Sequence, residues 1–270
     1  MTLIRQNPTQ SSGTWGPAES ASLKQGLDAL GLATTGPRFA QLETYAGLLL
    51  KWNRTYNLLG ATTAQSLIDS HLLDSLAILP ALQRWLPAQK LPQANPMLLD
   101  IGSGAGLPGL ALAIVMPDLP ITLVEPIGKK AAFLRQAIAQ CRLPLVTVLD
   151  GKVEDLDLAQ DLKAARATPP QGPGEARDAT PPPRLTPLTP HFICRAFASL
   201  ERFATLCTPH ATDGSLLFAM KASRVGDELA QLTDAVEVLA VEPLRTVERD
   251  VHRNLVVLRA DLARAVANAQ

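Results

Sequence analysis

Aromatic side chains are scarce in this chain, at 4% of its 270 residues, and neither sign of charge is in excess, 25 basic residues balancing 25 acidic ones. The first lack argues against an extended nucleic-acid platform of stacked rings. The second argues against a partner held by phosphate contacts over the whole surface, because proteins that bind that way carry a basic excess. Any contact with nucleic acid must then come from a local basic face. Cysteine is as sparse. Cys141, Cys194 and Cys207 stand far apart, odd in number and with no pair at metal-ligand spacing, which is poor material for a disulfide framework. They are expected to be small buried side chains, and no three cluster to hold an iron–sulfur centre. Long uncharged apolar runs are missing, and the N-terminus has no basic stretch leading into an apolar core. The expectation is a soluble, cytoplasmic protein with no membrane partner.

What is present is globular. The composition is 47% hydrophobic and 19% charged, enough to bury a large core in one domain or two modest ones. Residues 1–20 are rich in Gln, Ser, Thr, Gly and Pro and read as a disordered leader. Residues 21–90 form a helical extension: Leu42, Tyr45, Ala46 and Leu49, followed by Trp52, recur at three- and four-residue steps, as do Leu67, Ile68, Leu72, Leu76 and Leu79. Pro87 to Pro96 reads as a linker. Residues 95–260 then alternate short apolar strands with helices, with strands at Met97–Ile101, Ile121–Val124 and Val146–Leu149 and helices at Leu107–Met116 and Lys129–Cys141. That alternation predicts a Rossmann-like α/β domain with a parallel sheet and right-handed crossovers. A Pro-rich insertion at 164–190, unable to continue a helix or a central strand, interrupts it. The sheet resumes at His191–Cys194 and Ser215–Met220 and finishes at Asn254–Leu258.

The strongest local signal is Leu98-Leu99-Asp100-Ile101-Gly102-Ser103-Gly104-Ala105-Gly106-Leu107-Pro108-Gly109. Glycines after a strand allow a sharp bend and let a nucleotide-like ligand approach the bare backbone. Glu125 closes the next strand, where a carboxylate accepts hydrogen bonds from ribose hydroxyls. A dinucleotide fingerprint wants Gly-x-Gly-x-x-Gly, but Leu107 holds the sixth position here. S-adenosylmethionine has no pyrophosphate to seat on the helix N-terminus, so its loop tolerates Leu107. That weighs against a nicotinamide-dependent oxidoreductase.

Several segments together resemble the RsmG (GidB) family, the bacterial small-subunit ribosomal RNA guanine-N7 methyltransferases. They are the loop Asp100–Gly109, Gly128-Lys129-Lys130 with Phe133-Leu134-Arg135-Gln136, Lys51-Trp52-Asn53 with Tyr56-Asn57-Leu58, His71 to Leu76, Arg195 to Leu200, and Arg253 with Leu255-Val256-Val257. The resemblance covers roughly residues 41–259 and implies a class I S-adenosylmethionine-dependent methyltransferase. It departs from the family at the Pro-rich insertion and at Pro190, where an aspartate is common. Ala222 replaces a glycine after Lys221, and Asn254 follows Arg253 where histidine or cysteine is usual.

By that resemblance the cofactor, S-adenosyl-L-methionine, is contacted by Gly102, Leu107, Val153, Glu154 and Arg195, beside Gly104 of the loop and Glu125 at the end of the next strand. Val153 and Glu154 would take the adenine edge, and Arg195 would grip a carboxylate as a bidentate pair. Methyl transfer from a sulfonium is an in-line displacement that chiefly needs alignment. Guanine N7 has a lone pair and no proton, so no catalytic residue is assigned. N7 and O6 are adjacent acceptors that suit a cation; Lys129, Lys130, Lys221 and Arg253 are the substrate-binding candidates, with Arg135, Arg224, Arg245 and Arg249 further cations nearby. His71 and Asp74, at i and i+3, are either a helix hydrogen-bond pair or part of a lid over the cofactor. The expected partner is small-subunit ribosomal RNA, naked or in an assembling particle. A nicotinamide oxidoreductase and a non-catalytic RNA-binding factor with a vestigial pocket are the alternatives.

Overall fold

The computed structural model describes residues 14–60, 63–88, 95–167, 188–222, 225–247 and 251–262. Helix α1 (Pro17–Ala29) starts at a proline, and Glu19 returns its carboxylate to accept from the Gly16 amide at 3.1 Å, which ties down the first turn. Residues 17–20, read from composition as leader, are therefore helical; residues 1–13 lie outside the described residues. Helix α2 (Gly36–Tyr56) follows and ends where Asn57 adopts a left-handed conformation, φ 47°. The Thr63 side chain then caps α3 (Ala64–Ser66), which runs without a break into a π-helical stretch (Leu67–Leu73) and α4 (Asp74–Leu76), before α5 (Leu79–Ala88).

The alternating region follows in the order β1 (Asn95–Ile101), α6 (Gly109–Val115), β2 (Ile121–Glu125), α7 (Gly128–Cys141), β3 (Val146–Asp150), α8 (Leu158–Ala167), β4 (Leu188–Arg195), α9 (Leu200–Cys207), β5 (Leu216–Ala222), α10 (Gly226–Leu229), β6 (Val236–Leu244) and β7 (Arg253–Ala260). These strands make one seven-stranded sheet in the order β3-β2-β1-β4-β5-β7-β6. β1 to β5 pair in parallel and β7 runs antiparallel to both β5 and β6. The parallel sheet expected from the alternation is thus mixed at one end. This is the expected class I methyltransferase fold. Strand order reverses beside β1, and a crevice at the carboxyl ends of the strands around such a switch point is where open α/β sheets bind ligands.

Successive residues of β1 enter opposite cores, Leu98 on one face and Met97, Leu99 and Ile101 on the other. Both faces are covered, which explains the near-continuous apolar strands. On the first face Leu42, Tyr45 and Leu49 of α2 share one core with Leu110 of α6 and Phe133 and Leu134 of α7, so the helical extension packs directly on the sheet's own helices. On the second face Leu200, Phe203 and Cys207 of α9 cover Phe192, Leu217 and Val256. All three cysteines are buried and free. No helix among the described residues is long and apolar enough to cross a membrane.

Three expectations shift. α8 continues to Ala167 and β4 begins at Leu188, so the ends of the stretch read as insertion are regular structure; residues 168–187 lie outside the described residues. Pro190 sits inside β4 opposite Met97 of β1, whereas β5 pairs with β4 only from Phe192 onward. At Pro190 the strand still has an open side, and the missing N–H breaks no ladder there. The edge strand β6 was not foreseen. It is half-exposed, carries Pro243, and has a register irregularity between Val238 and Ala240, which blur the period-2 signal.

Candidate active site

At the end of β1 the chain turns by sending the amides of Gly102 and Ser103 to one carbonyl, that of Val124 (3.0 and 3.1 Å). Gly102 has φ +69°, and a Cβ there would lie 2.4 Å from the Phe197 ring, so only glycine fits both backbone and neighbour. The buried Glu125 carboxylate locks the turn. One oxygen accepts from the Gly104 amide at 2.7 Å and the other from the Ile127 amide at 2.9 Å. Glu125 therefore ties the loop after β1 to the one after β2, and each oxygen keeps a lone pair for a further donor.

Asp100 is also buried. Its Oδ2 accepts from the Gly109 amide at 2.9 Å, while Oδ1 has no partner. A Cβ on residue 109 would lie 2.7 Å from that Oδ2, so the glycine permits the bond. Burial pushes the Asp100 carboxyl up to about 7, against lowering by the Gly109 amide, Ser103 and Arg195. From the other side, the fully buried Tyr45 hydroxyl of α2 donates to the Ala105 carbonyl at 2.7 Å. The glycine loop is thus held by a carboxylate on one flank and by the helical extension on the other.

Beside the loop lies a cavity of about 180 Å³ at the carboxyl ends of β1, β2, β3 and β4, lined by Ile101, Gly102, Val124, Val153, Leu206 and Phe197, with Pro126, Lys152, Glu154 and Arg202 among its other walls. Apolar walls around a bare backbone suit a flat heterocycle, and the Glu154 carboxylate and Val153 amide offer polar contacts at its edge. Glu154 pairs with Arg202 at 3.1 Å, both side chains well exposed, and His210 Nε2 reaches the Val153 carbonyl at 3.0 Å, steadying this turn.

Arg195 emerges at the end of β4, where the sequence placed it, but its guanidinium points into the helical extension. It donates to Asp74 Oδ2 (2.8 Å) and the Ser70 carbonyl (3.2 Å) and lies 3.0 Å from His71 Nδ1. Arg253 Nε meets the same carboxylate at 3.1 and 3.3 Å. Asp74 is 3% exposed between two cations that are 12% and 29% exposed. Residues from three separate motifs converge here, and the cluster bolts the π-helical stretch to β4 and β7. After Arg195 the chain takes a strained turn, with Ala196 at φ +51°, and delivers Phe197 onto Gly102.

Of the sequence candidates, Gly102, Val153 and Glu154 line one cavity, with Gly104 and Glu125 fixing its loop. Leu107 is 5% exposed within the first core rather than on the cavity wall. Lys221 is an internal tie rather than a surface cation: it is 11% exposed, meets Glu228 at 2.8 Å and donates to the Ala198 carbonyl. Lys129 is exposed and Lys130 half-buried at the start of α7. Arg224 and Arg249 lie outside the described residues. Sequence reasoning missed Tyr45, which its spacing marked only as apolar core, and Arg202. A hydroxyl in an otherwise apolar helical stripe was the one available hint for Tyr45.

The chain also resembles known proteins over most of its length. A family model described as rRNA small subunit methyltransferase G matches residues 38–169. The chain is 35% identical over 240 residues to the ribosomal RNA small subunit methyltransferase G of Polaromonas naphthalenivorans, covering 88% of this chain and 95% of that protein. It is 37% identical over 236 residues to that of Azoarcus sp., covering 87% and 94%. Among solved structures, a SAM-dependent methyltransferase from Leishmania major superposes with a TM-score of 0.46 at 14% identity, over 83% of this chain and 87% of that one.

Proposed function

The chain belongs to the ribosomal RNA small subunit methyltransferase G family, and from that premise we propose that it transfers a methyl group from S-adenosyl-L-methionine to N7 of a guanine in small-subunit ribosomal RNA. The observation that carries the reading is the crevice in which bare Gly102 faces Val153 and Glu154 beside a loop clamped by Glu125. Family membership takes the place of both alternatives, the nicotinamide oxidoreductase and the non-catalytic RNA-binding factor. A cytoplasmic site of action, where ribosomal RNA is found, is part of the same proposal.

The residues present fit the adenosine group. Gly102 and the Phe197 ring against it form one wall, Val153 and Glu154 meet the base, and the spare lone pairs of Glu125 take sugar hydroxyls while the same carboxylate holds Gly104 in place. Leu107 supports the loop from the core side. The unpartnered Asp100 Oδ1 is a buried acceptor for a cationic donor. Arg195 acts at one remove, holding the turn that brings Phe197 to the cavity. When bound, S-adenosylmethionine supplies an electrophilic methyl on a sulfonium. Because N7 carries no proton, the protein needs no base, and the chain's contribution is to align the two partners and exclude water. Lys129 and Lys130 are the substrate cations of this reading, with Arg253, whose Nε is engaged by Asp74.

The test is direct. The protein is incubated with cofactor and small-subunit RNA that lacks the modification, naked and within an assembling particle, and the digested RNA is weighed for 7-methylguanosine. Product on either substrate is expected; product on neither refutes the proposal. Thermal titration separates the cofactors, since S-adenosylhomocysteine at a hundredfold over its Kd should stabilise by about 2.7 kcal/mol and NADH should not.

A further inference from the structure

Where α2 ends and α7 begins, the surface carries a feature that the cofactor crevice does not use. The two helices run antiparallel. Gln41 of α2 donates to the Cys141 carbonyl at the far end of α7 (2.7 Å), and Trp52 packs on Phe133, ring centroids 5.5 Å apart, toward the near end. Tyr56, one turn beyond Trp52, rests against it at 5.0 Å with the planes inclined by 35°. Tyr56 is thus the outermost ring of a packed ladder, yet it is 42% exposed. Lys129 and Lys130 precede Phe133 by four and three residues and so flank it on the same side of α7, in the direction in which Tyr56 extends. Ile127, 43% exposed, adds apolar surface, and Pro126 next to it is a wall of the cavity. The patch begins where the crevice ends.

Each part of this arrangement suits one chemistry. A ring held by a second ring has little rotamer freedom left to lose when a flat partner lies on it. Two ammonium groups at the start of a helix, where the backbone adds partial positive charge, complement phosphate in a chain whose total charge is zero. Flat, apolar and cationic together describe a nucleotide of single-stranded or bulged RNA, whose bases are read by stacking. Scarcity of aromatics argues against a platform for many bases; it leaves room for one ring and one base.

We propose that Tyr56 is the stacking surface for one unpaired base of the ribosomal RNA substrate, with Lys129 and Lys130 neutralising the phosphates beside it. The proposal rests on the methyltransferase reading above and adds the place where RNA is held next to the reacting guanine.

The experiment compares wild type with Tyr56→Leu, Tyr56→Phe and the double change Lys129→Ala/Lys130→Ala. The probe is a fluorescein-labelled fragment of small-subunit RNA, its binding followed by anisotropy over a range of salt, with melting temperature and S-adenosylhomocysteine affinity measured alongside. Leucine still covers Trp52 but offers no flat face. It should weaken RNA binding roughly five- to 150-fold, the range of one lost base stack, with cofactor affinity unchanged. Phenylalanine should bind RNA within about twofold of wild type, since stacking needs the ring and not the hydroxyl. The lysine pair should lower the slope of log affinity against log salt by about 0.7 per charge. Wild-type RNA affinity in Tyr56→Leu would overturn the proposal, as would a Tyr56→Phe protein as weak as the leucine variant. If wild type itself makes no 7-methylguanosine, the methyltransferase reading has failed; if it does and Tyr56→Leu binds normally, only the stacking assignment has.

Discussion

Tyr45→Phe is the sharpest perturbation of the glycine loop, because it removes one oxygen and changes little else. The hydroxyl is fully buried, donates to the Ala105 carbonyl at 2.7 Å, and is kept protonated by burial, which raises its pKa well above the ordinary phenol value. The ring keeps its contact with Phe133, centroids 6.5 Å apart. The lost donor leaves a carbonyl without a partner, and an unsatisfied buried acceptor costs about 1–3 kcal/mol. The loop has two responses. If the carbonyl stays in place, the whole cost falls on stability, and a chain of this size loses roughly 2–4 °C of melting temperature per kcal/mol. If the loop shifts to find another donor, Gly104 moves off Glu125 and the cost appears in cofactor affinity, roughly five- to 150-fold in Kd for the same energy. The two readouts share one total. Differential scanning calorimetry of the unliganded protein and isothermal titration with S-adenosylhomocysteine should together account for about 1–3 kcal/mol. A variant that melts and binds like wild type would refute the claim that the helical extension holds this loop.

Gly102→Ala forces a Cβ into the left-handed region, costing roughly 1–2 kcal/mol, and displaces the Phe197 ring that would lie 2.4 Å away; a lower melting temperature and at least about tenfold weaker S-adenosylhomocysteine binding are expected, and unchanged titration curves would contradict the site. Asp74→Ala strands Arg195 and Arg253 without their shared carboxylate; urea unfolding should show a loss of about 3–5 kcal/mol, and a loss within error of zero would mean the cluster is ornamental. Asp100 and His191 impose opposite pH dependences. Asp100 is raised from 3.8 to about 7 when folded, so the native state holds the extra proton and stability falls as pH rises through that window. Burial lowers His191 from 6.5 to about 4, so its neutral form is favoured and stability is lost as pH falls through the same region. Wild type should therefore vary little between about pH 4 and 7. Asp100→Asn should become more stable with rising pH and His191→Gln less, a contrast that denaturation at stepped pH would reveal; parallel slopes for the two variants would contradict it.

Much of the site was legible because its residues act where they stand in the sequence. Gly102 and Gly104 follow a strand, Glu125 ends the next one, and strand-end position alone places them at the ligand-binding edge. The helices of the extension were readable from the spacing of Leu42, Tyr45 and Leu49. Contacts that depend on the fold were not. No local pattern says that Arg195 would turn back onto Asp74, 121 residues earlier, or that Lys221 would be consumed by Glu228 and Ala198, since a cation's partner is a property of packing. Tyr45 was visible as a core residue, but its hydroxyl's partner lies 60 residues away in the glycine loop. The strand β6 escaped because an edge strand has one wet face and tolerates proline, which weakens the alternation that reveals a strand.

A crystal of the protein grown with saturating S-adenosylhomocysteine tests the central claim most directly. The adenine ring should lie in the crevice between Gly102 and Val153, its edge at Glu154, with a ribose hydroxyl on Glu125. Nucleoside density anywhere else in the molecule, with that crevice filled only by solvent, would contradict it.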